Sequence, residues 1–158
     1  MNWKDKRILV TGGASFIVSH LTEKLIELGA KVRVADNFSS GEKFHVESLD
    51  CEILEGDLLD PDFCRASTRS IEVVFHLAAD HGGRGYIDAH QVECSTNMIL
   101  DGQVFRAAYR NGIPKIVFAS SGCVYPHLLK WMSARKSSCT KTWLPRPTKP
   151  TTSMVGLN

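Results

Sequence analysis

One junction constrains this chain more than any other feature. The apolar run Ile8-Leu9-Val10-Thr11 stops at Gly12-Gly13, and after Ala14-Ser15 an amphipathic stretch runs from Phe16 to Leu28. A strand that becomes a helix over so few residues sends that helix back across a sheet, which commits the fold to βα crossovers and parallel pairing. The turn also leaves backbone N–H groups unpaired at a helix N-terminus, where those donors and the helix dipole together hold an anion such as a pyrophosphate. Asp36 stands 24 residues beyond Gly12, at the end of the next apolar run. A carboxylate there accepts hydrogen bonds from adenosine ribose hydroxyls and repels a 2′-phosphate, favouring NAD over NADP.

The alternation continues to Tyr125. Short, mostly continuous apolar runs predict strands near Arg7 to Thr11, Lys31 to Ala35, Glu52 to Leu54, Glu72 to His76 and Lys115 to Ala119. Between them, Phe16 to Leu28 reads as a helix ending at Gly29, Pro61 to Thr68 as a short helix with proline in its first turn, and roughly Gln91 to Arg110 as a long one closed by Asn111-Gly112. Right-handed crossovers give an α/β fold with about five strands in the order 3-2-1-4-5. After Pro126 the periodicity stops and three prolines intervene, so no sixth strand is expected. The chain divides into a partial domain at 1–126 and a tail at 127–158, expected to be disordered or loosely packed. Without a sixth strand the fifth has a bare edge, which invites self-association.

Composition narrows the function classes. The tail holds six Lys/Arg and no Asp/Glu, whereas residues 1–126 carry 13 basic against 17 acidic side chains. The basic residues are scattered among Pro, Ser and Thr with little aromatic interleaving, so no nucleic-acid partner is expected. The five cysteines, Cys51, Cys64, Cys94, Cys123 and Cys139, show neither a C-x-x-C pair nor Cys/His ligand spacing, which argues against a disulfide framework and a metal site. No apolar run is long enough to span a membrane and no leader pattern opens the chain, so a cytoplasmic location is expected.

On these residues the chain resembles the extended short-chain dehydrogenases, in their NAD-dependent nucleotide-sugar epimerase/dehydratase branch, from about residue 6 to 126. The family's T-G-x-x-G-x-x-G fingerprint is met by Thr11 and Gly12, but Ser15 and Val18 stand where the second and third glycines belong. The second glycine lets backbone approach the pyrophosphate and the third lets helix pack on strand, so NAD binding is expected to be weakened or lost. The resemblance implies a Rossmann-type fold in which Gly12, Ser15, Phe16 and Ile17 border the pyrophosphate and Asp36-Asn37 meet the ribose. It places Asp57-Leu58 at the adenine and Leu77-Ala78-Ala79 along the cofactor, with Asn97 bracing the strand ends; a plain helix-surface role is an equal reading of Asn97. The stretch Asp80-His81-Gly82-Gly83-Arg84-Gly85-Tyr86 most resembles the substrate loop of the GDP-mannose 3,5-epimerases, with Gly82 and Gly83 at the sugar. Ala119-Ser120-Ser121-Gly122-Cys123-Val124-Tyr125-Pro126 resembles their active-site segment. There Ser121 would bond the sugar oxygen being oxidised and Cys123 would act as an acid/base, a task that suits a tunable thiol; a small buried residue at a strand end is an equal reading of Cys123. His76 and His81 receive no catalytic role.

The family's chemistry also needs a Tyr-x-x-x-Lys pair, in which lysine lowers the tyrosine pKa and tyrosinate takes a hydroxyl proton. The chain contains none. A one-base shift of frame can regroup suitable codons for Ser153 to Asn158 into Tyr-Gly-Trp-Ala-Lys. The same shift can turn Leu129 to Met132 into Gln-Met-Asp and Thr140 to Leu144 into Glu-Asp-Met-Ala. The segment after about Pro126 therefore reads as an out-of-frame candidate that the nucleotide sequence decides. The expectation is a truncated, catalytically inactive NAD-binding portion with no substrate domain. The alternatives are a non-catalytic binding or interaction module on a degenerate scaffold, and a dehydrogenase or reductase lineage.

Overall fold

The computed structural model describes residues 2–120 and the strand at 153–157. In chain order these form β1 (Arg7–Thr11), α1 (Phe16–Glu27), β2 (Lys31–Asp36), a 3₁₀ turn at Lys43–His45, β3 (Cys51–Glu55), α2 (Pro61–Ser67), β4 (Val73–His76), α3 (Arg84–Ala89), α4 (Gln91–Ser95), α5 (Asn97–Arg110), β5 (Lys115–Ala119) and β6 (Ser153–Leu157). The sheet runs β3-β2-β1-β4-β5-β6 with every pair parallel. Its first five strands follow the order read from the sequence, and a break in direction falls between β1 and β4.

Successive side chains of a strand face opposite sides of the sheet, so β1 feeds two cores. Ile8 and Val10 join Val32, Val34 and the α1 residues Val18 and Leu25 on one face. Leu9 joins Val74, Cys64 of α2 and Val104, Ala107 and Ala108 of α5 on the other. Two of the helix ends are set by glycine. Gly29, at φ +82°, and Gly112, at φ +67°, follow α1 and α5 in the left-handed conformation. In each case the glycine N–H and the next residue's N–H fold back onto carbonyls of the last turn: Gly29 to Ile26, Ala30 to Leu25, Gly112 to Tyr109, Ile113 to Ala108. At the start of α2, Asp60 accepts from the Asp62 N–H at 2.8 Å ahead of Pro61.

Two expectations are corrected. The single helix over Gln91 to Arg110 is two, because the Ser95 and Thr96 hydroxyls donate to the carbonyls of Val92 and Glu93 at 2.6 Å and compete with the helical ladder. The sheet also has a sixth strand: Ser153–Leu157 pairs with β5 from Lys115↔Ser153 to Ala119↔Leu157, so that edge of β5 is occupied rather than bare. A five-residue run with an internal glycine has a weak strand signal of its own, and pairing with a neighbour overrides it. Among the described residues no helix is long and apolar enough to cross a membrane.

Candidate functional site at the carboxyl edge of the sheet

The β1 turn and the β4 turn meet where the strand order reverses. Gly12, at φ +69°, lies so near the second turn that a Cβ on it would fall 2.8 Å from Ala78 Cα. Thr11 locks the pair. Its Oγ1 accepts from the N–H groups of Leu77 at 3.0 Å and Ala78 at 3.1 Å and lies 2.7 Å from His76 Nδ1. With both lone pairs committed, the hydroxyl proton has only Nδ1 to go to, so Nδ1 is an acceptor and the ring proton sits on Nε2. Nε2 then donates to Asp101 Oδ1 at 3.0 Å, joining the two turns to α5. His76 is buried, with Phe105 edge-on to its ring, and both ring nitrogens bond within the fold.

Asp36 closes the other side. It is buried at the tip of β2, where Oδ2 accepts from the Ala14 N–H at 2.9 Å and Oδ1 from the Phe38 N–H at 2.8 Å. A carboxylate offers about four lone-pair positions, so each oxygen keeps one for a further donor. The Ala14 carbonyl is held in turn by the Glu42 N–H at 3.1 Å and by the His45 ring. The loop after β2 thus wraps the glycine turn, and a Cβ on Gly41 would meet Ala14 Cβ at 2.8 Å.

Ser15 is the N-cap of α1, yet its side chain makes no cap; the hydroxyl donates back to the Gly12 carbonyl at 3.1 Å. The first turn of α1 therefore keeps its outward amides: among the described residues Phe16 and Ile17 N–H have no acceptor, and both side chains are exposed. Val18, at the position of the third glycine, is taken into the core beside Val10 and Val34. Free amides, a buried carboxylate with spare lone pairs and two turns in near contact fit the pyrophosphate and ribose of a dinucleotide.

The remaining residues divide. Gly56 N–H bonds the Asp36 carbonyl at 3.0 Å, which brings Asp57-Leu58 alongside β2. Asp57 is exposed and turns its carboxylate onto the Leu59 N–H, while Leu58 is buried. Asn37 is exposed and accepts from the Ser39 N–H. Leu77 and Ala78 sit at the junction, with Ala79 exposed beyond them. Asn97 braces the loop that follows: its Oδ1 accepts from the Asp80 N–H at 2.7 Å and its Nδ2 donates to the Asp80 carbonyl at 2.8 Å. Gly82 and Gly83 come next, ahead of α3. Ser121 and Cys123 lie outside the described residues. Sequence reasoning missed Asp101, His45 and the Asp36–Ala14 bond, because side chains that reach partners tens of residues away leave no spacing pattern.

Among the described residues no group of His, Cys, Asp or Glu could hold a metal ion. Two surface concavities lie away from the turn: a groove between α2 and α5 bordered by Arg65, Arg106 and Arg110, and another at the amino ends of β1 to β3. Neither touches Gly12 or Asp36. In an open parallel sheet the carboxyl edge at the reversal of strand order is where a ligand is expected, so the junction carries the weight here.

Residues 8–150 match the model of a family described as "NAD dependent epimerase/dehydratase family". The chain is 35% identical over 121 residues to GDP-mannose 3,5-epimerase 1 of Oryza sativa subsp. indica, covering 76% of this chain and 32% of that protein. Among solved structures, UDP-glucose 4-epimerase of Thermotoga maritima with UDP-glucose superposes with a TM-score of 0.67 at 35% identity, over 73% of this chain and 38% of that one. UDP-glucose 4-epimerase of Brucella ovis in complex with NAD superposes with a TM-score of 0.70 at 27% identity, over 76% and 37%. The chain spans about a third of the length of these relatives.

Proposed function

Because the chain belongs to the NAD dependent epimerase/dehydratase family, we propose that the carboxyl edge of its sheet is the NAD-binding portion of a nucleotide-sugar-modifying site. The observation that carries this reading is Asp36, buried at the tip of β2, bonded to the glycine turn through Ala14 and retaining a free lone pair on each oxygen. Gly12, Ser15, Phe16 and Ile17 border the pyrophosphate, with the Phe16 and Ile17 amides as donors. Asp36 and Asn37 meet the ribose, Asp57 and Leu58 the adenine, and Leu77, Ala78 and Ala79 run beside the cofactor. Gly82 and Gly83 face the nucleotide sugar, and Ser121 and Cys123 take the sugar-oxygen and acid/base roles. NAD supplies the hydride acceptor for a ring hydroxyl.

NAD is held weakly here. The Ser15 side chain keeps the pyrophosphate from the close backbone approach that a glycine gives, and a lost charge-assisted hydrogen bond costs on the order of 1.5–3 kcal/mol. The 158 residues alone do not turn over sugar, because no Tyr-x-x-x-Lys in them can take the hydroxyl proton. Calorimetric titration with NAD and an epimerisation assay test both parts. Saturable NAD binding, tightened roughly tenfold by Ser15→Gly, with no sugar turnover is the expected pair of results. Turnover by the wild-type chain contradicts the second part. Absence of NAD binding in both proteins favours the other reading, a non-catalytic interaction module on a degenerate scaffold, for which the Ser15 replacement speaks.

A further inference from the structure

The loop after β4 is tied into a closed ring by one aromatic side chain. Tyr86 donates its phenol hydroxyl to Asp80 Oδ1 at 2.8 Å. Its ring lies over Gly82 so closely that a Cβ there would meet ring Cγ at 2.6 Å, the Tyr86 Cβ at 2.7 Å and Cδ1 at 2.8 Å. The ring also stacks on His90 with centroids 4.2 Å apart and planes 11° from parallel. The Asp80 end of the ring is fixed in turn, since both its backbone groups are held by Asn97. Gly82 thus owes its missing side chain at least partly to the protein's own Tyr86, whereas around Gly83 no heavy atom lies within 4 Å of where a Cβ would be.

We infer that Tyr86 is a positioning residue: seated on Gly82 and anchored to Asp80, it holds the Gly82–Gly83 backbone in the conformation that a sugar nucleotide must meet. The inference rests on the sugar-facing role proposed for that loop. Tyr86 acts through Asp80 and Gly82 and touches no reacting atom. The bond to Asp80 also raises the phenol pKa, the carboxylate favouring the protonated hydroxyl. A tyrosine so held is a poor base and a good strut.

The test uses the full chain and three substitutions, Tyr86→Phe, Asp80→Asn and Asp80→Ala. Amide hydrogen exchange at positions 86 and 87, whose N–H groups donate to the Gly83 carbonyl, is expected to quicken about fivefold in Tyr86→Phe, the effect of one lost hydrogen bond, with exchange in β1 unchanged. Asp80→Asn keeps an acceptor and retains protection; Asp80→Ala loses it. The phenolate absorbance that disappears in Tyr86→Phe should titrate above the ordinary value of 10.0, and Asp80→Ala should bring it down. Binding of GDP-mannose is expected to weaken by a similar factor in Tyr86→Phe while NAD binding stays level. Unchanged exchange at positions 86 and 87 in Tyr86→Phe, or equal losses for both ligands, overturns the inference. A wild-type chain that binds NAD but not GDP-mannose refutes the sugar-facing role instead, and that result is read separately from the exchange data.

Discussion

Asp36 and Ser15 decide what the glycine turn can do. The Asp36 carboxylate serves the fold and the proposed cofactor together, since it fixes the Ala14 and Phe38 amides and keeps lone pairs for ribose hydroxyls. Asp36→Ala is therefore expected to lower stability by about 1–3 kcal/mol, measured by urea unfolding, and to weaken NAD binding by tenfold or more. Ser15 behaves oppositely. A serine N-cap replaced by alanine ordinarily costs about 1 kcal/mol, but this hydroxyl is turned onto the Gly12 carbonyl and caps nothing. Ser15→Ala should cost under about 0.5 kcal/mol; a loss of about 1 kcal/mol or more would mean that the hydroxyl caps the helix in solution. Gly12 was legible in the sequence because a turn at φ +69° demands glycine, and Asp36 because it closes the second apolar run beside that turn. The Asn97, Asp101 and Tyr86 contacts span up to 25 residues, and nothing in local spacing announces such a partnership.

At the level of elements, helix ends were easy to read and a helix interruption was not. Gly29, Asn111-Gly112 and Pro61 mark boundaries by backbone chemistry alone, and each marks one in the structure. The break at Thr96 depends on hydroxyl-to-carbonyl bonds in competition with the ladder, and the hydrophobic pattern runs straight through it. Packing of α1 adds a second case. The family fingerprint has glycine at the place of Val18, yet Val18 is 8% exposed and part of the β1–β2 core. Val18→Gly, though closer to the fingerprint, should destabilise by about 2 kcal/mol or more, from lost burial and from glycine in a helix. In α2, burial and then the charges of Asp60 and Asp57 push the Cys64 thiol up to about 11 from 9.0, and its sulfur donates to the Leu58 carbonyl at 3.1 Å. The folded state then binds the proton more tightly than the unfolded one, so this contribution is complete below about pH 9 and declines as pH rises toward 11. Urea unfolding across that range should show stability falling with pH, with a shallower slope in Cys64→Ala. Equal slopes in the two proteins would mean that Cys64 takes no part.

For the whole molecule, strand order followed from βα alternation and the handedness of crossovers, and five strands lie in the order those rules give. The sixth did not follow, because Ser153–Leu157 becomes a strand through its pairing with β5 rather than through its own pattern. The proposed site is placed where the order reverses, since the turn after the first strand of such a sheet opens at the carboxyl edge. Chemical-shift mapping of backbone amides on adding NAD to the 158-residue chain probes that placement most directly. The predicted perturbations centre on Ala14, Phe16, Ile17 and Phe38, with the arginine-lined groove between α2 and α5 unaffected. Shifts concentrated in that groove, or a Ser15→Gly protein whose Phe16 and Ile17 amides ignore NAD at every concentration, would contradict a cofactor cradle at the end of β1.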